Sequence, residues 1–347
     1  MAWPEYVGRF YGKALTLRKI ISLIGAVVTI FALAGCQQSE ITSSAELLTV
    51  DFNAGSVLRY RLVSQRDIEV NLDSIGASSK GGRSTPQTMS EKLVLVIAYR
   101  PVVIKPYGLS TIEGTCESAK VTRTGFARKS SERDAVESLA GQTFTFQITP
   151  TGGIEDYSDL KALVRRLGEG AFASNTGRQG RIKNPDMISD FSALQWHMWD
   201  SIANIEDAVA GVEPGQIWKA TQFIPLPMPI PAARETTYTL DRFEETDSGR
   251  KAVITSSYKL SDSRVKNWPK TYTGTFNMRG MFGFLRDFKF RSLDGAGSQI
   301  FNIDTGTLES EQQQYKVHID AGFMMPLGDT VPTVTIDQKI NIQLLGD

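Results

Sequence analysis

The chain ends in an alternation of apolar and polar residues that only Gln338 breaks. In TVTIDQKINIQL, Val334, Ile336, Ile340, Ile342 and Leu344 are separated by Thr335, Asp337, Lys339, Asn341 and Gln343. Successive strand side chains point to opposite faces, so such a segment has one packed face and one wet face. That pattern belongs to an antiparallel sheet, not to a doubly wound parallel one whose strands are buried on both sides.

Similar segments recur along the chain. Leu58, Tyr60 and Leu62, then Ile68, Val70 and Leu72, share one parity, which Ser64 and Arg66 interrupt. This interruption predicts a bulge or an exposed half. KLVLVIAYR and the stretch around Ile112 and Val121 read as two further strands, and FTFQITPTGGIEDY as a strand, a Gly-Gly turn and a helix entry. From Trp218 onward the pattern is all strand. TYTLDRF and KAVITSSYKL flank the polar turn EETDSG as a hairpin. TYTGTFNM follows, then FGFLRDFKF with Phe282, Phe284, Phe288 and Phe290 on one face, then FNIDTGTL and QYKVHI paired around LESEQQ.

Two helices interrupt the strands. Leu160, Leu163, Val164 and Leu167 form one apolar face, with Asp156 or Ser158 as cap and Gly168 as stop. The second helix opens at Asn184-Pro185, a cap followed by a proline at the first helical position. Met187, Phe191, Leu194, Met198, Ile202, Ile205 and Val209 fall on one side of it, and Gly211 and Pro214 end it. The fold class expected is mainly β (α+β), a large curved antiparallel sheet or half-barrel-like meander with a two-helix insertion. Residues 51–347 form this β-rich domain, open to division into halves at 51–155 and 215–347 around a helical insertion at 156–210.

The N-terminus has a different composition. Arg9, Lys13, Arg18 and Lys19 precede an uncharged stretch from Ile20 to Gly35, the layout of a secretory signal. The apolar run is short for a bilayer span, which needs about 20 residues. Leu33-Ala34-Gly35-Cys36 resembles the lipobox of bacterial lipoproteins. The resemblance implies diacylglycerol on Cys36, cleavage between Gly35 and Cys36, and export to the cell envelope with residues 36–50 as a polar tether. Acyl chains contribute about 0.8 kcal/mol per buried methylene, so two or three hold durably. Gln37 after the cysteine suits outer-membrane sorting by analogy with enteric lipoproteins. An acylated Cys36 leaves Cys116 as a lone thiol, read as a small core residue. Without residues 1–35, 34 basic residues face 37 acidic ones, and no basic stripe points to a nucleic-acid partner.

No motif carries assembled chemistry. Gly76 to Ser84 has the glycines of a phosphate loop but Gly82 where the lysine belongs. Ser256-x-x-Lys259 lies in a strand pattern, where the two side chains point to opposite faces. Ser263-x-x-Lys266 lacks the Lys-Thr-Gly of penicillin-interacting enzymes. His197 and His318 have no partner at zinc spacing. Neither a catalytic group, a cofactor nor a metal is expected. The apolar features stand out more. Trp196 points away from the Met198 face of its helix, with Trp199 on a flank. IPLPMPIPA places Pro225, Pro227, Pro229 and Pro231 at alternate positions with Leu226, Met228 and Ile230 between them, a stiff extended segment excluded from a central strand.

Trp196, Trp199, Leu226, Met228 and Ile230 are therefore the candidate surface for a hydrophobic ligand or an envelope protein partner. GVEPGQIW before the run of strands resembles uncharacterised envelope lipoproteins of unknown function, a likeness that implies no activity. The leading expectation is a non-enzymatic, membrane-anchored envelope lipoprotein with a binding or structural role. The alternative is an envelope hydrolase whose site converges only in three dimensions.

Overall fold

Period-two patterning produces a single antiparallel sheet of ten strands. The computed structural model describes residues 45–71, 86–125, 133–173, 180–228, 230–263, 265, 268–280, 283, 285–323 and 332–346. The strands are β1 (Leu58–Asn71), β2 (Gln87–Ile104), β3 (Ser110–Gly125), β4 (Thr143–Ile148), β6 (Ile217–Phe223), β7 (Ala233–Thr246), β8 (Gly249–Ser261), β10 (Leu285–Asn302), β11 (Thr307–Phe323) and β12 (Thr333–Leu344). They run in the order β4-β3-β2-β1-β12-β11-β10-β8-β7-β6, without closing into a barrel. Pairing of β1 with β12, from Tyr60 opposite Leu344 to Asn71 opposite Thr333, joins the first part of the chain to the last. Two-residue strands β5 (Ile182–Lys183) and β9 (Asn277–Met278) make a separate parallel pair.

The sheet curls around a helix. Helices α1 (Ser158–Gly170) and α2 (Ile188–Ala203) pack on one face. Near its start, α2 brings Phe191 edge-on to Phe144 of β4, with ring centroids 5.7 Å apart. Near its end, the Ser201 carbonyl accepts a hydrogen bond from Trp218 Nε1 of β6 at 2.7 Å. Those strands are the two edges of the sheet. Flat, they would lie about 43 Å apart at ~4.8 Å per strand. Residues 191 and 201 are separated by only about 15 Å of helix. A flat sheet cannot satisfy both contacts, so the sheet is an open half-barrel with α2 in its concavity.

The two edges are treated differently. Along β4 the chain doubles back: Gln147 donates to the Asp156 carbonyl at 2.7 Å, and Thr145 N–H donates to Asp159 Oδ2 at 2.8 Å. Such cover removes an edge from reach of a partner strand. On β7 and β6, bonds from Leu240 N–H to Gln216 O and from Ile224 N–H to Ala232 O put the even-numbered β6 residues in the ladder. The backbone groups of Lys219 and Thr221 then face outward.

The chain enters at one end of the sheet. Glu46 bridges Val212, Val50 N–H donates to Pro150 O at 2.7 Å, and Asp51 N–H donates to Gly306 O at 3.1 Å. Leu48, Val50 and Phe52 are buried, so residues 46–50, expected in the tether, are pinned into the fold.

Several expectations change in detail. Ser64 and Arg66 cause no bulge: β1 keeps its register against β2 and β12, and both side chains point into the core. Residues 307–323 form one strand, with the turn at Ile303–Gly306 instead of at LESEQQ. Of TYTGTFNM only Asn277–Met278 is strand. Phe288 and Phe290 do share a face, 5.6 Å apart and opposite the buried Ala321 and Ile319, but at the sheet's end Phe288 is exposed and Phe290 only partly buried; Phe282 and Phe284 lie outside the described residues. Helix α1 runs through Gly168 to Gly170, and Asp156 Oδ1 accepts from Ser158 N–H at 3.0 Å. Helix α2 starts at Ile188, where Asp186 Oδ1 takes the Ile188 N–H at 3.0 Å, and Val209 lies beyond it, exposed.

Candidate functional site

Beneath α2 the concave face carries two fully buried arginines, Arg66 on β1 and Arg234 on β7. Arg66 is met directly by carboxylates. Its Nε donates to Glu91 Oε2 at 2.6 Å and its Nη1 to Asp190 Oδ2 at 2.9 Å. Arg123 takes the other Glu91 oxygen and reaches on to Asp134. Ser64 Oγ donates to Asp190 Oδ1 at 2.7 Å and accepts from Gln338 Nε2 at 2.6 Å, which ties α2 to β1 and β12. Burial alone would raise the Glu91 carboxyl, but the charges of Arg66 and Arg123 outweigh it and hold it below the usual range. Burial wins at Asp190 and Asp134, each beside one arginine, and raises both.

Arg234 is held by neutral groups. Its Nε donates to Gln222 Oε1 at 2.8 Å and its Nη2 to Gln313 Oε1 at 2.6 Å. The guanidinium lies 4.0 Å from the Tyr258 ring centroid and 4.6 Å from that of Tyr315, cation–π contacts in a desolvated setting. Carboxyls stand one residue further off. Gln222 Nε2 donates to Asp200 Oδ2 at 2.7 Å, and Gln313 Nε2 donates to Glu311. Burial, only partly offset by those amides and by Arg234, pushes Asp200 up to about 6 and Glu311 up to about 7. This centre can exchange protons near neutral pH while holding α2 against β6, β7 and β11.

The expected surface residues divide. Trp199 is buried edge-on to Phe52, 5.8 Å between centroids. Leu226 and Met228 are buried and Ile230 partly buried. An open apolar groove lined by Trp199, Leu226 and Met228 is thus not what the fold presents. In the proline segment Ile224 to Met228 are all buried, the prolines included, and α2 fills the concavity. Trp196 does reach the surface region. It meets Tyr157 edge-on at 5.2 Å and Trp268 at 5.3 Å, and Trp268 stacks on Phe223 at 4.0 Å. These four partly buried rings form a strip from the start of α1 across α2 to the end of β6.

The remaining candidates stay apart. His197 is buried, and burial, then the charge of Arg234, lowers it well below its usual range. Neither of its ring nitrogens hydrogen-bonds a side chain among the described residues. His318 Nδ1 lies 3.1 Å from Thr335 Oγ1 on the outer face. Burial pushes the Cys116 thiol up to about 11, and its Sγ donates to Ser118 O at 3.3 Å. Ser256 Oγ pairs with Tyr258 Oη at 2.7 Å, away from Lys259. No group of three acidic, histidine or cysteine side chains suited to a metal occurs among the described residues. Cys36, Gly35 and the Gly76–Ser84 stretch lie outside those residues.

Sequence reading missed Arg66, Arg234, Asp190, Asp200 and Glu311. The available signal was polar residues at core parity, as Glu311, Gln313 and Tyr315 continue the inward series of Val317 and Ile319. No protein-family model and no curated protein sequence matches the chain.

Proposed function

We propose that this is a non-enzymatic, lipid-anchored protein of the bacterial cell envelope, with a binding role directed at a protein partner. The lipobox-like Leu33-Ala34-Gly35-Cys36 behind a basic and apolar leader supports the anchor. The observation that carries the binding role is the strip Tyr157–Trp196–Trp268–Phe223, four rings left partly uncovered while the concave interior is filled by α2. Aromatic side chains that bury large area at small entropic cost are the usual anchors of interfaces. A filled concavity favours a partner at this surface over a hydrophobic ligand inside.

The test is in-cell photo-cross-linking from a photo-reactive residue replacing Trp196, with fatty-acid-analogue labelling in the same cells. Label on the wild-type chain, its loss in Cys36→Ala, and a discrete adduct from position 196 are expected. Persistent label on Cys36→Ala removes the anchor, and absence of any adduct from positions 196 and 268 removes the binding surface.

A further inference from the structure

Large apolar side chains exposed to solvent concentrate at one end of the sheet. The clearest group is the tip of the β2–β3 hairpin, where Val102, Val103, Ile104 and Tyr107 are between 40 and 68 % exposed. The sequence there is RPVVIKPYGLS, residues 100–110, with an aliphatic run and Lys105 between Pro101 and Pro106 and a tyrosine just after them. It has no alternation, which is why periodicity overlooked it.

The tip projects and is built to hold its shape. Pairing of β1 with β2 stops at Leu58 opposite Tyr99, so Arg100 to Leu109 extend past that neighbour. Lys105 N–H donates to Leu109 O at 3.0 Å and Gly108 N–H to Lys105 O at 2.8 Å. Gly108 has φ +85°, and a Cβ there would lie 2.5 Å from Pro150 Cγ, so the turn packs against the β4 side. The acidic residues behind it are matched, Glu113 by Arg100 at 2.7 Å and Glu117 by Arg59 at 2.6 Å. What remains at the apex is aliphatic surface, a phenol and a lysine, the composition of a segment that enters a membrane interface.

The position of the chain entry says which membrane. Val57, itself 45 % exposed, immediately precedes β1, and Leu47, 52 % exposed, lies in the segment by which the chain joins the fold at this same end. Described structure begins at Ala45, and Cys36 is nine residues upstream. Nine residues reach at most about 30 Å. An acyl group on Cys36 is therefore tethered within reach of the end that bears the apolar hairpin.

We infer that Val102, Val103, Ile104 and Tyr107 form a second membrane contact, a shallow wedge dipping into the bilayer that the Cys36 lipid enters. This inference rests on the lipid-anchor reading. It leaves Phe223 and Trp268, at the opposite end of the strands, directed away from that bilayer.

The experiment uses the full acylated chain reconstituted into phosphatidylethanolamine–phosphatidylglycerol vesicles, with an environment-sensitive fluorophore on Val103→Cys or, as control, Lys289→Cys. Cys116 is buried and does not compete for the label. The expected result is a blue shift at position 103, strong quenching by nitroxide carried high on the acyl chain, weaker quenching by nitroxide near its end, and neither effect at 289. Adding Ile104→Asp should abolish the shift at 103 while the protein stays on the vesicles. A vesicle-bound protein whose position 103 is quenched only from the aqueous phase overturns the wedge and leaves the anchor standing. A shift at 103 that needs high protein density and resists lipid-borne nitroxide means a second copy covers the tip, which also overturns it. Failure to associate with vesicles overturns both readings.

Discussion

The two buried arginines solve one problem in opposite ways. Arg66 is neutralised at first contact by Glu91 and Asp190, whereas Arg234 touches two glutamine oxygens and two tyrosine rings, with Asp200 and Glu311 behind the amides. Carboxyl behaviour follows the number of guanidinium groups in contact. Glu91, with two, is held low; Asp190 and Asp134, with one each, are raised; Asp200 and Glu311, with none, reach about 6 and about 7. Burial costs a carboxylate its hydration, and here two guanidinium groups in direct contact outweigh that cost where one does not. The Arg66 centre is thus a fixed clamp on the start of α2, and the Arg234 centre a titratable support under its end.

Removing the cation separates the two most sharply. Arg66→Met leaves Glu91 with Arg123 alone and Asp190 buried with no arginine in contact, and losing one partner of a buried pair costs about 3–5 kcal/mol. Arg234→Met leaves neutral amides, and carboxyls that can stay protonated, so an unsatisfied-group loss of about 1–3 kcal/mol is expected. Guanidinium denaturation of both variants at pH 7 is the measurement. Equal losses would erase the distinction.

Titration tests the second centre alone. Glu311 and Asp200 bind protons more tightly in the folded chain than in the unfolded one. Their stabilisation is complete below the unfolded carboxyl range and declines as pH rises through about 6 and about 7. Glu91 acts in the opposite sense, contributing above the ordinary carboxylate range and failing as pH falls through its lowered value. Asp190 and Asp134 share the sign of Glu311, so the total slope is mixed and a difference is needed. Glu311→Gln should match wild type near pH 4 and exceed it above pH 7 by roughly 3 kcal/mol, the equivalent of moving one carboxyl from 4.5 to about 7. Parallel stability curves for the two proteins from pH 4 to 8 would show that Glu311 is not a proton store.

The same contrast explains what was legible in the sequence. The sheet was legible because Val334, Ile336, Ile340 and Ile342 share one parity, broken only by the buried Gln338, and hydrophobic burial enforces that period. The face of α2 was legible for the equivalent reason, as Met187, Phe191, Leu194, Met198 and Ile202 are all buried. The polar centres were not, because a charged residue at core parity reads as a break in the pattern until its partner is known. Arg66 is buried only because Glu91 is across the ladder and Asp190 comes from a helix 124 residues away. The strip through Trp196 was half legible: the helical wheel set Trp196 apart, but nothing in the sequence joins it to Trp268 and Phe223. The groove failed for a local reason: from Ile224 to Met228 the strap is buried throughout, Pro225 and Pro227 as well as Leu226 and Met228.

The smallest effect concerns how Arg234 can lie on a tyrosine at all. Gly297 of β10 faces the concave side, and a Cβ there would come 2.2 Å from Tyr258 Oη, 2.7 Å from Ser256 Oγ and 2.7 Å from the Gln312 carbonyl. The missing side chain gives the Tyr258 hydroxyl its place, and the ring then lies under the guanidinium. Among the described residues no glycine plays this part at Arg66, whose hydrogen-bond partners are carboxylates. Gly297→Ala should therefore cost about 1–3 kcal/mol by overpacking. Tyr258→Phe, which keeps the ring and deletes the hydroxyl, should relieve part of that cost, the Gln312 carbonyl retaining the rest. The pair is measured as a double-mutant cycle by denaturation. Strict additivity would mean that Gly297 matters only for its strand backbone, and that the tyrosine platform under Arg234 does not depend on the space it leaves.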